Sequence, residues 1–245
     1  IKFQLSFLLL LTLFSCTEEE KEKLFPENPI AFSQNFILSI KSDEPYEKYI
    51  DTLSKIDLTA LEASLNSKDK KLVFWINIYN SLVQSKIRLK KEDFKDRESF
   101  FNAKDQTIGY QELSLNEIEN GIIRKEINSQ TSDFVKQFQL EIKDPRIHFA
   151  LNCGANACPP IAFYKEKEIN SQLELAEESF IVNDSKYDSI SNTLEVSAIF
   201  KWFEEDFVEQ NTMLNLMKKH GIISLSASPK IIYKKYDWSL NLENY

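Results

Sequence analysis

Residues with chemical potential are concentrated in one run, Asp144-Pro145-Arg146-Ile147-His148-Phe149-Ala150-Leu151-Asn152-Cys153-Gly154-Ala155-Asn156-Ala157-Cys158-Pro159-Pro160. It holds one of the two histidines and two of the three cysteines in the chain. The imidazole of His148 can serve as acid, base or hydrogen-bond donor near neutral pH, and a thiolate at Cys153 beside it would be the usual activated sulfur nucleophile. Asp144-Pro145 opens the run as a turn, residues 147–151 read as a short strand, and residues 153–160 read as a rigid loop. On such a strand His148, Ala150 and Asn152 share a small, polar face, while Ile147, Phe149 and Leu151 face the core.

Three uses compete for these side chains. As a nucleophile pair, His148 and Cys153 are opposed by geometry, because a strand rising about 3.3 Å per residue sets them about 16 Å apart unless the chain doubles back. As metal ligands, His148, Cys153 and Cys158 have a C-x4-C spacing that is not diagnostic and lack a fourth ligand nearby, so neither a metal nor any other cofactor is expected. The third use is structural: a lone histidine is more often a satisfied hydrogen-bonding residue, and two close cysteines in an exported protein more often oxidise to a disulfide.

The element expected to position His148 lies upstream. Residues 72–89 are the longest periodic segment, with Leu72, Trp75, Ile76, Tyr79, Leu82 and Val83 recurring as an apolar stripe, which predicts the central helix. Beside the stripe, Asn77, Asn80 and Gln84 stand at i, i+3 and i+7, so their amides line up. A buried amide costs free energy unless it is hydrogen-bonded. The row is therefore either a network tying the helix to neighbouring backbone or the polar wall of a ligand pocket. The pocket expected here has His148 and Asn152 on one wall and Trp75, Asn77, Tyr79 and Asn80 on the other, with Arg146 and Asp237 as charged neighbours.

Elsewhere helices alternate with short strands. Helical signals cover residues 45–56, a stretch started by Asp57 or Thr59 and running through Leu65, the stretch after the capping box Ser114-Leu115-Asn116-Glu117, residues 165–182, the stretch after Ser197, and a stretch capped by Asn211 or Thr212 and ended by Gly221. Extended pieces around Gly109, two strands about Ser191-Asn192 and a final strand over residues 230–236 supply the rest. Glu119 and Arg124 are candidates for an exposed pair. Without regular βαβ alternation the pattern predicts an α+β fold, a helix-rich single domain around a small, mainly antiparallel sheet. Four glycines, none in a phosphate-binding loop, exclude a Rossmann or Walker site.

A hydrophobic content of 42% in 245 residues suits one globular core, and a formal charge of −8 leaves no basic footprint for nucleic acid. Residues 3–14 are almost wholly apolar behind Lys2 and too short to span a bilayer, which takes about 20 residues. With Leu13-Phe14-Ser15-Cys16 they read as a lipoprotein signal peptide over residues 1–15, leaving Cys16 to carry the lipid. Residues 16–28 then form an acidic tether, and residues 29–245 a single globular domain anchored through Cys16 to a membrane of the bacterial cell envelope, expected to be the outer membrane. In that oxidising compartment Cys153 and Cys158 are the only thiols left. The Gly154 turn and Pro159-Pro160 bring them within the roughly 4.4 to 6.8 Å between Cα atoms that a disulfide requires.

The run from Asp144 to Pro160 resembles the hallmark segment of the bacterial and plant family catalogued as domain of unknown function 547. Four further segments agree with it in family order: Phe74-Trp75-Ile76-Asn77-Ile78-Tyr79-Asn80-Ser81-Leu82, Leu113-Ser114-Leu115-Asn116-Glu117-Ile118-Glu119-Asn120-Gly121-Ile122-Ile123-Arg124, Ser197-Ala198-Ile199-Phe200-Lys201-Trp202-Phe203-Glu204-Glu205-Asp206-Phe207, and Tyr236-Asp237-Trp238-Ser239-Leu240-Asn241. The resemblance runs from about Tyr46 onward and implies kinship rather than an activity, since the family's own activity is unestablished.

Three functional classes follow. The favoured one is a binding domain whose pocket around His148 takes a small molecule or peptide. The second is a hydrolase or transferase using His148 and Cys153; it loosely resembles papain-like or transglutaminase-like enzymes in placing a polar helix before the histidine, but the helix offers Asn77 and not cysteine. The third is a structural envelope lipoprotein. Mass spectrometry of the mature protein is expected to find an acylated Cys16 as the first residue; an unmodified N-terminus downstream of it would rule out the lipid anchor.

Overall fold

The computed structural model describes residues 22–208 and 212–244. Helix α1 (Pro29–Lys41) begins where the Asn28 side chain accepts hydrogen bonds from the backbone of Ile30 and Ala31 and Pro29 pre-sets the first turn. It is absent from the elements expected above, although Phe32, Phe36 and Ile40 recur every fourth residue and are buried. Helices α2 (Glu47–Ser54) and α3 (Leu58–Ser64) follow, the latter capped by Asp57, which with Thr59 is one of the two starts its sequence offers. Helix α4 (Lys68–Leu89) then runs through the centre. Every residue of α4 from Val73 to Ile87 is buried, so this part of the helix has no solvent face and its polar side chains need partners inside the protein.

Helix α5 (Arg97–Asn102) leads into the hairpin of β1 (Gln106–Ile108) and β2 (Gln111–Leu113), which turns at Gly109 and Tyr110, both with positive φ. The capping box closes with both reciprocal hydrogen bonds, at 2.9 and 3.0 Å, and the helix it starts is π-wound over Glu117–Ile123. The order is completed by α6 (Asp133–Phe138), α7 (Ile169–Asp184), β3 (Lys186–Asp188), β4 (Thr193–Val196), α8 (Ile199–Trp202), α9 (Met213–Lys219) and β5 (Lys230–Tyr233).

The fold is α+β and helix-rich. Its strands form two sheets, not one: β1–β2 stands apart from β3–β4–β5, in which β4 pairs antiparallel with β3 but parallel with β5. The parallel pair qualifies the mainly antiparallel expectation, and connectivity explains it. The segment holding α8 and α9 returns the chain to the same end of the sheet, as a parallel neighbour requires.

Two local expectations change. Residues 147–151 are not a strand; Pro145–Phe149 is a 3-10 helix whose cap, Asp144, accepts from the Arg146 backbone N–H at 3.0 Å. A capping aspartate followed by proline at the first helical position starts a helical turn, and this overrides the apolar run that suggested a strand. Strand alternation therefore does not apply. The segment feeds two hydrophobic clusters instead: Ile147, Ala150 and Leu151 join α1 and α4, while Phe149 joins Phe180, Leu194, Val196 and Phe200. The second change concerns the tether, which is docked by Leu24: that residue bridges to Ile56, donates its N–H to the Lys55 carbonyl at 3.0 Å and accepts from the Asp57 N–H at 2.8 Å. The signal segment, residues 1–15, and Cys16 lie outside the described residues.

The amide row of α4 points inward and is mostly consumed there; among the described residues only its Gln84 Oε1 is left without a partner. Asn77 donates to Ser33 Oγ at 3.3 Å and to the Tyr164 carbonyl at 3.1 Å, and accepts from the Tyr164 N–H at 3.2 Å. Asn80 donates to the Ala150 carbonyl at 3.0 Å and accepts from the Asn152 N–H at 2.9 Å. Gln84 donates to Asn152 Oδ1 at 3.2 Å, and Asn152 in turn donates to the Pro159 carbonyl at 2.7 Å. Replacing Asn80 by alanine strands two buried backbone groups, so Asn80→Ala is expected to lower stability by about 3 kcal/mol in urea denaturation; a loss within the error of the fit would show that the row does not clamp the loop.

Candidate functional site

The chain after the 3-10 helix folds over α4 as a loop closed by a Cys153–Cys158 disulfide, with an S–S distance of 2.07 Å and Cα atoms 6.1 Å apart. Gly154 lets the loop sit directly on the helix: its φ is +83°, and a Cβ there would lie 2.2 Å from Ile87 Cδ1. The Tyr236 hydroxyl rests against both sulfurs, 3.1 Å from Cys158 and 3.5 Å from Cys153. Oxidised in this way, neither cysteine is a nucleophile.

Next to the disulfide is a cleft of about 370 Å³ whose walls come from α4 (Tyr79), α5 (Arg97, Phe101), the π-helix (Glu119), the 3-10 helix (His148), α8 (Trp202) and the segment after β5 (Tyr236, Trp238). Aromatic rings dominate it. Trp202 and Trp238 stack with centroids 5.9 Å apart, and Tyr236 leans on Trp238 at 4.7 Å.

His148 is only 4% exposed, and its setting explains why. The ring stacks on Phe203 at 4.2 Å, and Nε2 lies 2.8 Å from Asp206 Oδ2. A carboxylate only accepts, so Nε2 donates in this contact; among the described residues Nδ1 has no hydrogen-bond partner. Asp206 is sealed from solvent and also accepts from Arg124 Nε at 2.8 Å and Lys143 Nζ at 2.6 Å. Burial by itself would raise the Asp206 carboxyl, but the hydrogen bonds from His148, Arg124 and Lys143 outweigh it and hold the group well below the usual carboxylate range. Across the cleft, the Tyr79 hydroxyl donates to Glu119. Burial first, and the Glu119 charge second, push the Tyr79 phenol well above its usual value, so it remains a donor.

Of the residues singled out from the sequence, His148, Cys153, Cys158 and Tyr79 line this cleft. Asn77, Asn80 and Asn152 are spent in the interior network, and Trp75 is a core residue packed edge-on against Phe74 and Phe138. They sit beneath the cleft because α4 is buried from Val73 to Ile87. Arg146 is held by Asp144 at 2.6 Å and turns toward Asn170, not toward His148. Asp237 is exposed and accepts from Asn156 and Ser239. In that extended segment the alternation of side chains sends its neighbours Tyr236 and Trp238 to the cleft instead. Glu119 and Arg124 do not pair with each other: the first is taken by Tyr79 and the second by Asp206. Asp206, Glu119, Arg97 and Trp202 were missed. For Asp206, Glu119 and Trp202 the available signal was their presence in the similar blocks; Arg97 had none.

Residues 63–181 match the model of a family described as a protein of unknown function, DUF547, which supports the kinship that the five sequence blocks imply. The matched stretch holds Tyr79, Arg97, Glu119, His148 and both bridging sulfurs, whereas Trp202, Asp206, Tyr236 and Trp238 come from beyond it. No curated protein and no solved structure matches the chain.

The depressed pKa of Asp206 makes stability pH-dependent. A carboxyl whose folded-state pKa lies below its unfolded value contributes fully above about pH 4 and loses that contribution as pH falls toward the folded pKa. Asp206→Asn is expected to cost about 3 kcal/mol at pH 7, since it leaves Arg124 and Lys143 short of a charge, and the gap to wild type should narrow below pH 4. Denaturation curves at pH 7, 4 and 3 check this; a gap that stays constant would mean that the charge of Asp206 is not what the network uses.

Proposed function

We propose that this protein is a ligand-binding domain held at the bacterial cell envelope by a lipid on Cys16, and that the cleft beside His148 takes a small molecule or peptide. The observation that carries the reading is the cleft's composition. Its volume and its aromatic lining, with a few placed polar groups in Glu119, Tyr79 and His148, are those of a site that buries an apolar body and orients it by hydrogen bonds. An aromatic lining with Trp202 about half exposed is costly to keep open to water unless something covers it.

One observation favours a second reading, a hydrolase or transferase in which His148 is a base oriented by Asp206. Two features rank it below binding. Both sulfurs are in the bridge, and the charge of Asp206 is already shared with Arg124 and Lys143, which leaves it less to offer an imidazolium.

The three tryptophans provide the test, since Trp202 and Trp238 line the cleft and Trp75 is in the core. When small aromatic and aliphatic fragments are titrated into nitrogen-labelled protein, the indole N–H signals of Trp202 and Trp238 should move in a saturable way while that of Trp75 stays fixed. If no fragment moves the first two, the cleft is not a binding site. A Cys153 thiol that alkylates only after reduction, at a rate unaffected by His148→Gln, would count against the enzyme reading.

A further inference from the structure

Among the described residues, two charged groups of the cleft have no counter-ion. Glu119 accepts from the neutral Tyr79 hydroxyl, and among the described residues no lysine, arginine or histidine nitrogen lies within 4.0 Å of its carboxylate. Arg97 lies over the Trp238 ring at 4.9 Å, and among the described residues it has no carboxylate within 4.0 Å and no hydrogen-bond partner. Both are partly buried. Four other buried or partly buried carboxylates are matched: Asp206 has Arg124 and Lys143, Glu177 has Lys219 and His220, Asp184 has Lys234, and Glu117 has Lys104. Glu98 also borders the cleft, but it is exposed and screened by solvent.

Opposite charges that line one cleft without meeting each other are a template for a molecule that carries both. Each is partly desolvated against aromatic walls, a cost that only a bound partner of opposite sign returns. The charge of Glu119 reaches the far wall as well: burial first, and that charge second, raise the Tyr236 phenol. The rings between the two charges offer flat apolar surface, and an aromatic face additionally attracts an ammonium group.

We infer that the cleft takes a small zwitterion of the amino-acid class, with its ammonium group on Glu119, its carboxylate on Arg97 and an apolar stem against Tyr236 and Trp238. This rests on the ligand-binding reading and sharpens it to a chemical class. The guanidinium suits a carboxylate because its planar donors can meet both oxygens, and stacking on Trp238 holds it in orientation.

Calorimetric titration of the full mature domain with glycine, 4-aminobutyrate and 6-aminohexanoate, each beside the alkylamine, alkanoate and alcohol of the same length, tests the inference. One chain length is expected to bind at least roughly tenfold more tightly than both of its singly charged analogues. Glu119→Gln, which keeps a hydrogen-bonding partner for Tyr79, should remove that advantage over the alkanoate; Arg97→Gln should remove the advantage over the alkylamine. Thermal melts of both variants are expected to match wild type, so a loss of binding cannot be laid to unfolding. If no zwitterion exceeds its singly charged analogues, the inference is overturned. Alcohols that still move the Trp202 and Trp238 signals would then leave the ligand-binding reading standing, whereas silence from every compound would remove both.

Discussion

A helix without a solvent face is the constraint on which this structure depends. From Val73 to Ile87 α4 is buried on all sides, so any amide it carries must find a partner in the protein or cost several kcal/mol. Asn77, Asn80 and Gln84 find theirs on Tyr164, Ala150 and Asn152, in the chain that follows His148. The demand for hydrogen bonds thus becomes a positioning device. The loop is laid along α4 with its backbone held at several points, and Gly154 allows the contact by having no Cβ to strike Ile87. Tyr79, one residue before Asn80, is thereby set opposite the disulfide and His148 across one cleft.

Asp206 performs the same service for the other half of the molecule. One buried carboxylate gathers Arg124 from the end of the π-helix, Lys143 from the loop before the 3-10 helix and His148 from within it. Phe203, three residues before Asp206, touches both the His148 ring, at 4.2 Å, and the Arg124 guanidinium, which stands 4.6 Å from its centroid. The arrangement joins the cluster around α4 to the cluster around Phe149 and the three-stranded sheet, because Ile147 belongs to the first and Phe149 to the second. Buried ion networks add less stability than their geometry suggests, since desolvation offsets most of the attraction; what they secure is a single arrangement of the segments that meet there.

Polar groups beneath the cleft and polar groups lining it are therefore handled differently. Beneath it, the amides of Asn77 and Asn80 and the charge of Asp206 are paired within the protein. In the cleft itself, Glu119, Arg97 and the Nδ1 of His148 retain capacity, set among rings that exclude water from one side.

The residues by themselves determined what acts over one or two turns of chain. The cap at Ser114, the long apolar period of α4 and the hairpin about Ser191-Asn192 were legible, as was the pairing of the only two cysteines near each other, while the caps at Asp57 and Thr212 were each narrowed to one of two residues. The run containing His148 was rightly located but given the wrong local shape, because its apolar residues obscured the Asp144-Pro145 helix start. Partners for the polar side chains were decided only by the tertiary structure: Asp206 meets His148 across 58 positions and Glu119 meets Tyr79 across 40. The hydrophobic effect that brings such segments together is non-directional, so apolar spacing shows that a face will be buried without showing what will face it. For the same reason the amide row of α4 was visible as a row, while its direction, into the interior rather than toward the cleft, depended on how completely the surrounding chain covers the helix.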